Sequence, residues 1–148
     1  MEINALTYNM SWATQENVVE GTEKEFVAAC QKKYKKGGIQ CNENAIKNIT
    51  TLPKLDLMFL QEVNSKIEEK IMKVQPKLKK FMRAKKGLEI ISTIWNPNVF
   101  GKVVYKDYFN LLKSNSNFRP CLILVFERPN KDLILVINAH FPHKKILN

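Results

Sequence analysis

Three aspartates, two histidines and three cysteines in 148 residues leave little material for several kinds of site. Cys30, Cys41 and Cys121 are odd in number, and no two form a Cys-x-x-Cys pair. That argues against a zinc ribbon or a disulfide scaffold and for reduced thiols in an intracellular protein. No apolar run approaches the roughly 20 residues that cross a bilayer. Met1-Glu2-Ile3-Asn4 has neither the basic region nor the apolar stretch of a secretory signal. The expected location is therefore cytoplasmic or nuclear. Acid is scarce: 24 Lys and Arg face 14 Asp and Glu, a formal net charge of +10.

What is present reads as an ordinary globular chain. Hydrophobic residues make up 45% and charged residues 26%, enough for one domain over residues 1–148 with a real core. Residues 70–86 hold eight Lys or Arg and no acid, and Lys32, Lys33, Lys35 and Lys36 form a second cluster. Such clusters attract polyanions, whether nucleic acid, a phosphoinositide or an anionic membrane. A solvated, lysine-biased surface is the competing reading, because the wealth of Lys, Asn and Ile also follows from A+T-rich coding.

Residues 3–10 read as a first strand, with Leu6, Tyr8 and Met10 on one face and Thr7 and Asn9 on the other. Thr22-x-x-Glu25 is a capping-box pattern that opens a helix carrying Phe26, Cys30 and Tyr34, and Gly37-Gly38 is its expected stop. Asn42 is the expected cap of a second helix, with Ala45, Ile46 and Ile49 inward. Residues 55–62 form a buried strand that turns polar at Gln61-Glu62. Ser65-x-x-Glu68 is a second capping box, for a helix with Ile67, Ile71 and Val74 inward and Pro76 at its end. Strand, helices, strand implies a crossover between parallel neighbours, with Asn9 and Glu62 emerging at one sheet edge.

Strands in series follow, over 78–84, 88–95, 100–108, 121–127 and 133–141. Lys86-Gly87 and Asn96-Pro97-Asn98 mark turns, 110–117 a loop, and Pro129-Asn130-Lys131-Asp132 an antiparallel hairpin. Leu133-Ile134-Leu135-Val136-Ile137 is unbroken, the pattern of a strand buried on both faces. Asn138 and His140 then share a face where that strand ends. The fold class is α/β (α+β), a mixed β-sheet with helices on one face.

Four segments point at one edge: Tyr8-Asn9-Met10, Gln61-Glu62-Val63, Phe118-Arg119-Pro120 and Asn138-Ala139-His140. A carboxylate and an amide carbonyl are hard oxygen ligands for Mg2+ or Mn2+. An arginine grips phosphate or braces a metal-binding carboxylate. A histidine protonates a leaving oxygen or stabilises charge on phosphorus. Together they point to metal-assisted phosphoester hydrolysis. Trp12 reads as packing rather than as a stacking platform, and His143 as structural.

At these residues the chain resembles the endonuclease/exonuclease/phosphatase family, of deoxyribonuclease I-like fold. Thr7-Tyr8-Asn9 looks like the family's opening strand, whose Asn lies in the metal and phosphate network. Gln61-Glu62 is similar to its Gln-Glu, whose Glu is the main metal ligand. Arg119-Pro120 resembles its phosphate-contacting or Glu-orienting arginine. Asn138-x-His140 resembles its Asn-x-His, whose His meets the scissile phosphate. The resemblance implies one half of a four-layer αββα sandwich, and the basic charge favours nucleic acid as the phosphoester substrate. The basic run over 70–86, together with the missing second-half motifs, motivates the alternative, a non-catalytic basic module that binds nucleic acid or a protein partner. Asp56, Asp107 and Asp132 stand in neither an Asp-x-Asn nor an Asp-His pair. A fragment or split member with little activity of its own is the expectation, with a second half-domain or protein partner over one apolar sheet face.

Overall fold

The computed structural model describes residues 2–52, 55–84, 90–111 and 119–141. The expectations for Lys86-Gly87, for residues 112–117, and for Phe118, Pro142 and His143 lie outside them.

Among the described residues seven strands form two sheets. The first has the order β1-β2-β4-β3: β1 (Ala5–Asn9), β2 (Leu57–Gln61), β4 (Ile90–Trp95) and β3 (Lys79–Ala84). β1 and β2 are parallel with Asn9 opposite Gln61, as the crossover pattern requires; the other pairs are antiparallel. The second sheet has the order β5-β6-β7: β5 (Lys102–Asn110), β6 (Pro120–Glu127) and β7 (Leu133–Ala139), all antiparallel.

Alternation along β2 sorts its side chains between two cores. Met58 and Leu60 pack outward against Ile46 and Ile49 of α3 (Gly37–Thr51) and Ile67 and Ile71 of α4 (Ser65–Val74). Leu57 packs inward with Ile91, Trp95, Phe100, Leu122, Leu124, Phe126 and Val136, between the sheets. Among the described residues the result is three layers: helices, first sheet, second sheet. The outer face of the second sheet is bare. Leu133, Leu135 and Ile137 are 66%, 61% and 54% exposed, and Tyr105, two strands over on β5, is 55% exposed. This corrects the reading of the 133–137 run as buried on both faces; only Ile134 and Val136 of that run join the inner core. An apolar run marks potential for burial, and among the described residues a helix layer lies on one side of the sandwich only.

The helix boundaries bring further corrections. Thr22 falls in a 3-10 turn (Gly21–Glu23), and the N-cap of α2 (Lys24–Lys33) is Glu23. The Glu23 carboxylate makes no capping bond there; it accepts from the Ser11 hydroxyl. Val27 and Cys30, not Phe26, are the buried residues of α2. Gly37-Gly38 opens α3 instead of ending α2. Gly37 has φ +56°, and a Cβ on Gly38 would lie 2.6 Å from the Thr14 carbonyl oxygen. The glycines thus let α3 press onto α1 (Trp12–Glu16). Asn42 lies inside α3, buried, 2.8 Å from the Thr14 hydroxyl, and caps nothing. Asn64, not Ser65, caps α4, accepting from the Ile67 N–H at 2.9 Å. Glu68 is 2% exposed and accepts from Lys80 Nζ at 2.6 Å and from the Ser92 hydroxyl. It ties α4 to β3 and β4 rather than completing a capping box.

Cys30 and Cys41 are joined in a disulfide, Cα–Cα 6.3 Å, so the expectation of three reduced thiols is overturned. The turn at residues 34–36 brings α3 back beside α2, a proximity that cysteine spacing does not reveal. Cys121 is free and buried. Burial, and secondarily the nearby Asp107 carboxylate, push its thiol pKa up. It therefore stays protonated and slow to react across neutral pH.

Two expected outcomes follow from this packing. Under denaturing, non-reducing conditions an alkylating reagent should add to one cysteine, and after reduction to three; intact-mass spectrometry reads the difference. Leu124→Ala, in the fully buried inner core, should cost about 2–5 kcal/mol of stability. Leu135→Ala, on the bare face, should stay within about 0.5 kcal/mol of the native chain. Urea denaturation of both variants measures the contrast.

Candidate active site

The parallel pairing of β1 and β2 puts their carboxyl ends side by side. The Met10 N–H donates to the Gln61 carbonyl at 2.9 Å, extending the ladder by one bond. The chain then turns sharply, because Glu62 takes the left-handed conformation, φ +51°. For a residue with a Cβ this costs roughly 1–3 kcal/mol and persists only where the surroundings impose it. Here they do. The Gln15 side-chain amide donates to the Glu62 carbonyl, and the Val63 N–H donates to the Ile90 carbonyl at 3.2 Å.

The Glu62 carboxylate is held from three sides. Oε1 accepts from Asn9 Nδ2 at 3.0 Å and lies 3.5 Å from His140 Nε2. Oε2 accepts from the Trp12 backbone N–H at 2.6 Å. That N–H belongs to the first turn of α1, whose amide dipoles favour a negative charge. Asn9 is fixed in turn, since its Oδ1 accepts from the Ser11 N–H at 2.7 Å in an Asx-type turn. Ser11, itself at φ 53°, is the N-cap of α1.

His140 follows β7 and is 5% exposed, with its backbone N–H donating to the Pro120 carbonyl at 3.0 Å. Arg119 stands just before β6, beside that contact. Its backbone N–H donates to Asn110 Oδ1 at 2.7 Å. Asn9, Glu62 and His140 are thus in mutual contact through the carboxylate, and Arg119 immediately precedes the neighbouring strand. All four lie at the one edge to which the sequence assigned them.

The three aspartates lie elsewhere in the chain. Asp56 precedes β2, at the end opposite Glu62, where it accepts from the Asn4 N–H at 3.1 Å and Asn96 Nδ2 at 3.3 Å. Asp107 is on β5 and Asp132 at the β6–β7 hairpin. Among the described residues no group of three His, Cys, Asp or Glu is placed to hold a metal. The Glu62 carboxylate and Asn9 Oδ1 are two hard oxygen donors, each with a lone pair to spare. In this structure Asn9 turns Nδ2 towards the carboxylate and Oδ1 towards the Ser11 N–H, so of this pair Glu62 alone presents its oxygens there, and a Mg2+-like ion would take the rest from water and substrate.

Two contributions went unnoticed in the sequence. The Trp12 backbone amide binds Glu62 while its indole stays 56% exposed, so Trp12 is not core packing. Gln61 and Asn138 meet each other inside the sandwich at 2.8 Å. Two polar residues in otherwise apolar strands were the visible signal, but nothing in their spacing pairs them. The basic residues divide. Lys80 is bound to Glu68, and Lys36 and Lys70 flank Glu43 at 3.8 and 3.5 Å. Lys35 and Lys36 also line a shallow pocket of about 350 Å3 with Tyr34, Asn17, Gln31, Gly37 and Ile39.

No family model matches the chain, and no curated protein matches it in sequence. Solved structures do. TDP2 from C. elegans superposes with a TM-score of 0.60 at 16% identity, over 97% of this chain and 36% of that one. D. rerio TDP2, complexed with a single-strand DNA product, gives 0.58 at 12% identity, over 97% and 48%. The endonuclease/exonuclease/phosphatase from Bacteroides vulgatus gives 0.58 at 15%, over 93% and 51%. The chain has the deoxyribonuclease I-like fold of these proteins, and it spans between about a third and a half of their length.

Proposed function

We propose that this chain is the first-half portion of a divalent-metal-dependent phosphoesterase, with nucleic acid as its favoured substrate. The observation that supports it best is the contact of Asn9 and His140 with one carboxylate, Glu62, at the joined edge of two sheets. In this reading Glu62 is the main ligand for Mg2+ or Mn2+, and Asn9 belongs to the same metal and phosphate network. His140, next to that carboxylate, meets the scissile phosphate, and Arg119 grips phosphate or steadies Glu62. The ion, when bound, polarises the phosphoryl oxygen and lowers the pKa of a bound water. The chain's own residues hold the phosphate and keep the carboxylate aimed.

Nucleic acid is favoured by the net charge of +10 and by the DNA product bound to the similar D. rerio protein. The cysteine argument for an intracellular location falls with the disulfide, and that location now rests on the substrate. With Asp56, Asp107 and Asp132 all away from Glu62, the water-activating Asp-x-Asn and the closing Asp-His of the family have no counterpart here. Activity of the chain alone is accordingly small, and a second half-domain over the bare sheet face is the partner that would complete the site. A purely non-catalytic basic module is the weaker alternative, since Lys36, Lys70 and Lys80 are engaged in ion pairs within the fold.

The test pairs binding with turnover. The purified chain should bind Mn2+ by electron paramagnetic resonance, and Glu62→Ala should weaken that binding at least tenfold. With Mg2+ or Mn2+ present, single-stranded DNA, RNA and inositol phosphates should be hydrolysed only in trace amounts, and Glu62→Ala should remove the trace. Robust hydrolysis that survives Glu62→Ala would sink the site, and salt-sensitive nucleic-acid binding without Mn2+ binding would favour the alternative.

A further inference from the structure

Asn138 is an amide buried to 1% exposure inside the interface between the sheets. A polar group there costs free energy unless every hydrogen-bonding atom is answered. Asn138 is answered from the opposite sheet. Its Oδ1 accepts from Gln61 Nε2 of β2 at 2.8 Å. Its Nδ2 donates to the Ser92 carbonyl of β4 at 2.9 Å, with Thr93 Oγ1 at 3.3 Å and the Leu60 carbonyl at 3.5 Å. Gln61 reaches on to Thr7 Oγ1 of β1 at 3.4 Å. One side chain of the second sheet thus grips the first sheet through two of its strands, and through Gln61 touches a third.

Its place along the chain gives the contact meaning. Gln61 is the residue before Glu62. Asn138 is two residues before His140 and on the same face of its strand. The apolar contacts that press the sheets together carry no directional preference. Leu57, Ile91, Leu124 and Val136 would tolerate a small slide of one sheet over the other. Hydrogen bonds near 2.8 Å, with both partners buried, do not tolerate it. A slide of 1 Å would separate His140 from Glu62, now 3.5 Å apart, and would leave Asn138 unsatisfied.

We propose that Asn138, acting through Gln61, is a positioning residue that sets Glu62 opposite His140. It touches neither ion nor substrate. The proposal rests on the phosphoesterase reading only where metal binding is its readout.

The experiment separates positioning from plain stability. Asn138→Ser withdraws the acceptor from Gln61. Val136→Ala truncates a core residue on the same face of the same strand and leaves the tie intact. NMR reads the Trp12 backbone amide and the Asn9 side-chain amide, both bound to the Glu62 carboxylate. EPR reads Mn2+ affinity. Asn138→Ser should move both amide signals and weaken Mn2+ by about 10–100-fold, the usual effect of losing an outer-shell partner. Val136→Ala should lower the melting temperature and leave both signals and the affinity as they were. Asn138→Ser and Val136→Ala giving the same response, with unmoved amides, would overturn the proposal. If the native chain binds no Mn2+, the phosphoesterase reading fails and the amide signals still decide positioning. If Asn138→Ser does not fold, Gln61→Met removes the donor from the other side. It should then weaken Mn2+ binding and shift the His140 backbone amide across the interface; an unmoved His140 amide there would also overturn the proposal.

Discussion

Two sheets made from distant parts of the chain must meet at one edge in one registry, and everything at the candidate site depends on that. Glu62 belongs to the first sheet and His140 to the second, 78 positions later. Burial of Leu57, Trp95, Phe100, Leu124 and Phe126 supplies the attraction between them. Trp95 and Phe100 meet Phe126 edge to face, with ring centroids 5.0 and 5.4 Å away. Such contacts favour closeness over a range of offsets. Among the described residues the buried directional part of the interface includes the Gln61–Asn138 amide pair and the bonds Asn138 makes to β4.

A second line of support reaches Glu62 from the helical side. Gly38 has no Cβ, so the start of α3 lies against the Thr14 carbonyl, and Asn42 binds the Thr14 hydroxyl. That seats α1. From α1 come the Trp12 N–H on the carboxylate and the Gln15 amide on the Glu62 carbonyl. The disulfide between Cys30 and Cys41 holds α2 to α3 behind it. A left-handed glutamate is an unfavourable conformation, and these contacts are what oblige it.

Much of this was legible in the residues, for a physical reason in each case. Strand 55–62 alternates between two apolar environments, so its continuous hydrophobicity truthfully signalled burial on both faces. The crossover from β1 to β2 required parallel neighbours, and that put Asn9 beside Glu62. The same signal misled at 133–137, because hydrophobicity does not say whether a covering layer is present. The division into two sheets was hidden as well, since strands in series pair locally whichever way the sheets fall. The capping box at Ser65 fails because Asn64 takes the cap and Lys80 with Ser92 hold Glu68, and the one at Thr22 fails because a 3-10 turn moves the cap position on to Glu23. Gly37-Gly38 has the pattern of a helix stop, although glycine also marks the place where two backbones come close. Partner choice among Gln61, Asn138, Cys30 and Cys41 depends on distances in space that spacing along the chain does not carry.

The bare outer face of the second sheet has a colloidal consequence. Copies of the chain that met there would bury Leu133, Leu135 and Ile137, and the gain would be considerable. The net charge of +10 opposes that encounter over roughly the Debye length, about 8 Å at physiological salt. Solubility is then a balance between a short-ranged attraction and a screened repulsion. A polyanion that neutralised the lysines would remove the repulsion while leaving the apolar face as it was. Losing its positive charge and remaining dispersed are, for this chain, opposed requirements.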